Sequence, residues 1–531
     1  MPPDPRAAYN ELLDRRRAEI ARFEDRHRLL GYCRLAVVAL IVLMVWMALS
    51  RQAFSILWAL VPVAGFAVLV VVHEKLLGRL ERRRRAARFF ERGLARLDGK
   101  WQGVGSAGDE YLDPVHPYAQ DLDLFGRGSL FELLCTARTH IGEDTLARWL
   151  LEPAAPDLAR ARQQAVEELR GRLDLREDLA VVAEEARTGV DPVSLAAWGE
   201  APPPANIGAL RVWVWLFTVI GVAGGASLVC LVAYMAGFLP ASDAAAAALR
   251  DIFLIALVAN GWFLYRWRRP LAEIVARVEE AADELGMLAE VLVRLEREQF
   301  HAPLLVQLRA SLDSAGDPPS KRIARLNRLM DRLDSRDNVF VRLLEIFVLW
   351  TPHLSVTVEL WRARSGSAVR RWLTATGEIE ALGSLASHAF EHPADPFAEF
   401  SDDRGLLETE AIAHPLIEEA RVVRNDVRID GDLRVLIVSG SNMSGKSTLL
   451  RTLGVNAVLA QAGATVRAKR LRISPLAVGA SIRVTDSLQG GVSRFYAEIL
   501  RLRQILDLTS GKLPVLFLVD EFLHGTNSHD R

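Results

Sequence analysis

Arg434-Val435-Leu436-Ile437-Val438-Ser439-Gly440-Ser441-Asn442-Met443-Ser444-Gly445-Lys446-Ser447-Thr448 decides how this chain is read. It contains the pattern Gly-x-x-x-x-Gly-Lys-Ser between an apolar run and Leu449 to Ala460, a stretch with helical spacing of its apolar residues. The run Arg434 to Ser439 predicts a buried strand, so the loop is expected to join a strand to a helix. In that setting glycines let backbone N–H groups close around phosphate oxygens, and the helix N-terminus adds positive potential. Lys446 would reach the β and γ phosphates and Ser447 would hold Mg²⁺, with Gly440, Ser441, Asn442, Met443, Ser444, Gly445 and Thr448 completing the nucleotide loop.

Leu513 to Glu521 is the partner such a loop needs, an apolar run ending in two carboxylates. It predicts a strand whose Asp520 belongs to the Mg²⁺ shell and whose Glu521 orients and deprotonates an attacking water.

Around these two stretches, 531 residues leave room for several domains. The formal net charge of −1 gives no global electrostatic case for nucleic acid. Three scattered cysteines, Cys33, Cys135 and Cys230, suggest neither a disulfide framework nor a thiolate metal site.

Apolar residues are concentrated in pairs of runs. Leu35 to Leu49 and Ala53 to Val72, joined by Ser50-Arg51-Gln52, predict a transmembrane hairpin behind a polar, Arg-rich helical segment. A signal peptide fits poorly, because the charged region before the first run is too long and a second run follows at once. Val212 to Leu239 and Ile252 to Tyr265 form a second pair; the last run is short and has Arg250 and Asp251 just upstream. Gly221 and Gly225 carry the spacing that lets two helices approach closely. Arg82 to Arg85 and Arg266 to Arg269 fall on the same side as the N-terminal arginines, which predicts that side to be cytoplasmic. The Arg82 to Arg85 cluster reads first as a topology signal, then as an anionic-lipid contact, then as a DNA-phosphate contact.

Between and after these runs the pattern is helical. Ser129 starts an apolar-periodic segment through Leu151, which Pro153 ends, and the helices of residues 271–392 divide near Gly316-Asp317-Pro318-Pro319. Pro393 to Phe400 reads as a linker into the last domain.

Leu124-Phe125-Gly126-Arg127-Gly128-Ser129-Leu130, Thr139 to Pro153 and Arg162 to Leu169 resemble the helical core domain of MutS-type mismatch-repair ATPases. From His414 on the resemblance extends through Asn425-Asp426, the phosphate loop, Ala460-Gln461-Ala462-Gly463, Asp486 to Phe495, Asp520-Glu521 and Gly525 to Ser528. Taken with the apolar runs, which predict transmembrane helices, it implies a multidomain chain with an all-α core and lever domain and a C-terminal α/β P-loop ATPase of the ABC type. The expected divisions are 1–118, 119–400 with the inserted apolar pair, and 401–531. The resemblance also assigns Val422 and Val423 to the adenine, and makes Gln461 a link between Mg²⁺, water and domain motion. Gly491 and Ser493 would face the γ-phosphate held by a second subunit, which implies a homodimer; Ser493 as an ordinary helix cap is the plainer reading.

Ser441, Ser444 and Arg494 depart from the family pattern, which more often has Pro, Gly and Thr there. His524 and His529 read as loop histidines. The mismatch-recognition domain has no counterpart, since its place is taken by the apolar hairpin, and Phe397-Ala398-Glu399 repeats the spelling of its wedge by chance. The chain stops at Arg531 where the family continues through a further helix and strand, so the ATPase is expected to be incomplete, with an exposed sheet edge. The expected function is a multi-pass ATPase of the cytoplasmic membrane, its ATP site in the cytoplasm and its DNA role implied by resemblance alone. The alternatives are an ABC-type transporter ATPase and a scaffold that binds ATP without hydrolysing it.

Overall fold

The computed structural model describes residues 4–51, 55–186, 191–202, 207–240, 242–313, 316–334, 339–441, 444–482 and 494–520. Its first element, α1 (Pro5–Arg51), runs unbroken from the Arg-rich segment into the apolar run and packs against α2 (Leu60–Leu97). Among the described residues four helices are long and apolar enough to cross a membrane: these two, α8 (Ile207–Met235) and α9 (Asp243–Glu296). The short fourth run of the sequence is therefore part of a 54-residue helix that continues through Pro270 into the lever region.

The charged halves of α1 and α2 are laced together. Arg83 pairs with Glu19 at 3.0 Å and Arg84 with Glu24 at 2.8 Å, while Arg82 reaches Glu290 on α9 at 2.6 Å. Arg85 lies 3.8 Å from Glu81. The cluster read as a topology, lipid or DNA signal thus has carboxylate partners within the chain, and a phosphate would have to compete with them.

The helical domain opens with α3 (Leu130–Leu134) and α4 (His140–Leu151), so the periodic segment expected from Ser129 to Leu151 is broken. Cys135 to Thr139 turns the chain, and Ser129 and Thr139 each cap the helix that follows, accepting from Glu132 N–H and Gly142 N–H. Then come α5 (Pro156–Arg170), α6 (Leu173–Ala186), α7 (Pro192–Glu200), and, after α9, α10 (Pro303–Leu312), α11 (Pro319–Asp334) and α12 (Val339–Val348). The spine is α13 (Trp350–Glu391), which α4, α5, α7, α10 and α11 surround. Trp372 at its middle is fully buried, and its Nε1–H donates to Leu312 O at 3.1 Å. Leu349, with φ +50°, turns the chain sharply between α12 and α13, a break that residue periodicity does not announce.

The last part is α/β. The strands β1 (Glu399–Phe400), β2 (Leu407–Ile412), β3 (Asn425–Ile429) and β4 (Arg470–Ile473) form a sheet in the order β1-β4-β2-β3. The pair β5 (Ala477–Ser481) and β6 (Val515–Val519) is parallel. Helices α14 (Lys446–Ala462) and α15 (Arg494–Asp507) complete it. The supposed linker ends in β1, and Val466 N–H donates to Pro396 O at 2.9 Å, so it is stitched to this domain. Phe397-Ala398-Glu399 is held in the same way, with Ala398 buried and Glu399 on β1.

One expectation fails here. Residues 434–439 carry no strand, and Val435, Leu436 and Ile437 are exposed. An extended run becomes a buried strand only when a neighbour takes its N–H and C=O groups. Among the described residues none pairs with it, and β6 pairs with β5 alone.

Candidate functional site

The loop turns into α14 through Gly445, whose φ of +92° lies where residues with a Cβ are strained. Lys446 opens the helix and folds back over the loop, its Nζ donating to Gly440 O at 2.8 Å. Gly440 is itself crowded, since a Cβ there would meet the Ser444 hydroxyl. Ser444 N–H donates to Ser441 O at 3.2 Å, closing the turn. One residue further, the Ser447 hydroxyl is hydrogen-bonded to the Asp520 carboxylate at the end of β6. Asp520 N–H donates to Ser481 O at 3.1 Å, which fixes that carboxylate against the end of β5. The chain thus brings together a lysine ammonium, a hydroxyl, a carboxylate and a helix N-terminus, the donors and charges suited to an oxyanion and a hard divalent cation.

What seats this cluster is the helical domain. Gly454 on α14 packs against Leu122 and Leu518, with no room for a Cβ. Arg451 pairs with Asp123 at 3.2 Å, and Arg501 on α15 pairs with the buried Asp121 at 2.7 Å. Asp121 also accepts Ile482 N–H at 2.7 Å, beyond β5. Sequence reading missed this joint, because two aspartates in an irregular stretch carry no pattern. It also missed Asn456, wholly buried in α14, which donates to Ala413 O at 3.0 Å and accepts Arg467 N–H at 2.7 Å. A lone Asn on an apolar helix was the available signal. His414 is held neutral, burial and the nearby Arg451 lowering it to about 4, and its Nδ1 accepts Leu416 N–H at 3.3 Å.

The other predicted residues are more scattered. Gln461 is buried and its Oε1 accepts Leu476 N–H at 3.2 Å, so the structure gives it a packing role. Val422 is half-buried and Val423 exposed, both in the loop before β3 and neither in a strand. Thr448 lies in the first turn of α14, where its C=O accepts the Thr452 hydroxyl at 2.6 Å. Asn442, Met443, Gly491, Ser493, Glu521, His524 and His529 lie outside the described residues.

Comparison with known proteins gives this geometry a context. Residues 436–531 match the family profile described as MutS domain V. The DNA mismatch repair protein MutS of Chlorobium phaeovibrioides is 34% identical over 175 residues, 32% of this chain and 20% of that protein. DNA mismatch repair protein MutS 1 of Halobacterium salinarum is 40% identical over 161 residues, 29% of this chain and 18% of that protein. An endonuclease MutS2 of Thermus thermophilus is 39% identical over 118 residues, 22% of this chain and 15% of that protein. The chain therefore spans about a fifth or less of the length of these curated relatives. In its C-terminal region, from residue 436 on, this chain is similar to the MutS family through domain V.

Proposed function

We propose that this chain is a membrane-anchored, MutS-like ATPase. The observation that carries the reading is the meeting of Ser447 and Asp520 across the start of α14 and the end of β6, with Lys446 bent over the loop beside them. Two residues far apart in sequence meet as the ligands of one Mg²⁺ would, and the similarity to MutS domain V supports the same assignment. Lys446 would bind and orient the β and γ phosphates, the loop N–H groups would hold their oxygens, and Ser447 and Asp520 would carry the metal. Mg²⁺ supplies charge neutralisation on the phosphates when bound. Glu521, next in sequence to Asp520, would accept the proton of the attacking water.

The four long apolar helices among the described residues support the anchor, and the arginines flanking them favour a nucleotide site on the cytoplasmic side of that membrane. A homodimer sharing two nucleotides, with Gly491 and Ser493 acting across the interface, belongs to the same proposal. So does a DNA transaction related to mismatch repair, which rests on the names of the relatives. Movement of α9 and α13 would couple the two ends.

The test is nucleotide affinity and turnover of the purified full-length chain. Magnesium-dependent ATP binding is expected to weaken at least about a hundredfold in Lys446→Ala, the loss of a charge-assisted contact to phosphate of roughly 3 kcal/mol. Glu521→Gln is expected to keep binding and lose phosphate release. Undiminished affinity in Lys446→Ala would refute the site, and unchanged turnover in Glu521→Gln would leave a binding scaffold in place of an enzyme.

A further inference from the structure

We propose that His388, His392 and Asp395 form a binding site for a divalent transition-metal ion of the zinc class, at the joint where α13 hands the chain to the nucleotide-binding domain. The site stands apart from the phosphate loop and does not depend on its reading.

The three residues sit where the helix ends. His388 lies in the last turn of α13 and His392 follows the helix end, and their ring centroids are 4.4 Å apart. Asp395 N–H donates to His392 O at 3.1 Å, and this turn brings the carboxylate back under the rings. One donor atom from each residue lies within 4.8 Å of the other two. A tetrahedral ion with bonds of about 2 Å holds its donors roughly 3.3 Å apart, so the three donors would have to draw together by up to about 1.5 Å.

His388 is the observation that points to a ligand. It is buried, 3% exposed, and among the described residues neither ring nitrogen has a hydrogen-bond partner. Leaving a buried polar atom unmatched opposes folding, and this ring has two such atoms. A metal bond would satisfy one of them. His392 is already arranged as a ligating histidine is: its Nδ1–H donates to His388 O at 3.1 Å, which leaves the Nε2 lone pair for an ion.

Asp395 supplies the anion. Its carboxylate pairs with Arg467 at 3.3 Å. Arg467 is shared with Glu419 at 2.5 Å, so its charge does not fall on Asp395 alone. Two imidazoles and one carboxylate select a borderline ion such as Zn²⁺ over Mg²⁺ or Ca²⁺, which prefer all-oxygen sites, with water completing the tetrahedron. The ion would fasten the end of α13 to Pro396 and Phe397, which already bond to the strand-side residues Val466 and Thr465. It would stiffen the path by which the long helix follows the nucleotide domain.

The full-length chain, stripped with a chelator, is titrated first with Co²⁺ and then with Zn²⁺ in competition. The expected result is a single equivalent of Co²⁺ with visible d–d bands, displaced by Zn²⁺. His392→Gln, at a half-exposed position, and Asp395→Asn are each expected to weaken zinc affinity at least about tenfold while circular dichroism stays unchanged. Failure of the wild-type chain to bind, or equal affinity in the doubly substituted His392→Gln/Asp395→Asn chain, overturns the site. The second outcome would assign the binding to other histidines, such as His27 and His73, whose rings meet at 2.8 Å between α1 and α2.

Discussion

Glu380 shows how much a single side chain can set in this molecule. It lies fully buried on α13, accepts the N–H of Arg138 at 3.0 Å and of Thr139 at 3.4 Å, and is hydrogen-bonded to the Thr139 hydroxyl that caps α4. Burial raises its carboxyl to about 7, against the pull of those three donors. The folded chain therefore holds this proton more tightly than the unfolded chain, whose value is near 4.5. Between those two values stability falls as pH rises; below about 4.5 the penalty is absent, and above about 7 it is complete, of order 3 kcal/mol. Glu380→Gln keeps an acceptor for the two N–H groups and cannot ionise. Its thermal midpoint is expected to fall less between pH 5 and pH 8 than that of the wild type, and parallel curves would show that the burial cost has been misassigned. The sequence marks Glu380 only as an acid in an apolar stretch, because its cost comes from α4 packing on top of it.

At the scale of elements, the apolar helix pair is held by small residues, one of them a glycine that spacing suggested. Gly224 of α8 leaves no room for a Cβ beside Ala256 of α9, Gly221 is crowded by both Asn260 of α9 and Phe347 of α12, and Gly225 faces Phe347. Asn260 on α9 donates to Ile346 O at 2.6 Å, so α12 is gripped from both sides. A small-xxx-small pattern identifies a helix face on which backbones can approach; which neighbour arrives there depends on the sharp turn at Leu349 that folds α12 back. Gly224→Leu would push α8 from α9 and is expected to cost about 1–3 kcal/mol of stability. It should lower the thermal midpoint of the detergent-solubilised chain more than Gly208→Leu, a site on α8 with nothing within 4 Å. Equal shifts would mean that the close approach is not limiting.

For the whole molecule, the N-terminal hairpin and the spine helix are one mechanical unit. Arg96 on α2 forms a bidentate pair with Glu391 at the end of α13, at 2.8 and 2.6 Å, and the Tyr9 hydroxyl of α1 donates to the same carboxylate at 3.0 Å. Tyr9, Phe90 and Phe390 pack around them. Arg16 ties α1 to Glu177 on α6 at 2.6 Å. Removing one partner of a buried pair leaves the other charge without compensation, so Arg96→Met is expected to cost roughly 3–5 kcal/mol at this joint. The measurement is limited proteolysis: the region between α2 and α3 should be cut faster in Arg96→Met than in wild type, with α15 no more accessible. Equal cutting would show that the hairpin is held by its apolar contacts alone.

Local order and chemistry determined much of this chain in advance. The glycines and lysine of the phosphate loop, the helix after it, the strand ending at Asp520, the caps at Ser129 and the long apolar runs are set by residues close in sequence, so periodicity and spacing suffice to find them. Tertiary structure decided the rest. Residues 434–439 have the composition of a buried strand and pair with no strand among the described residues, because a strand is completed by its neighbours; the short fourth apolar run became part of one long helix. The seating of α14 on Leu122, the pairing of Arg501 with Asp121 and the bond from Asn456 to Ala413 O depend on where the backbone turns in three dimensions. Long-range contacts carry no local signature, which is why only the folded chain reveals them.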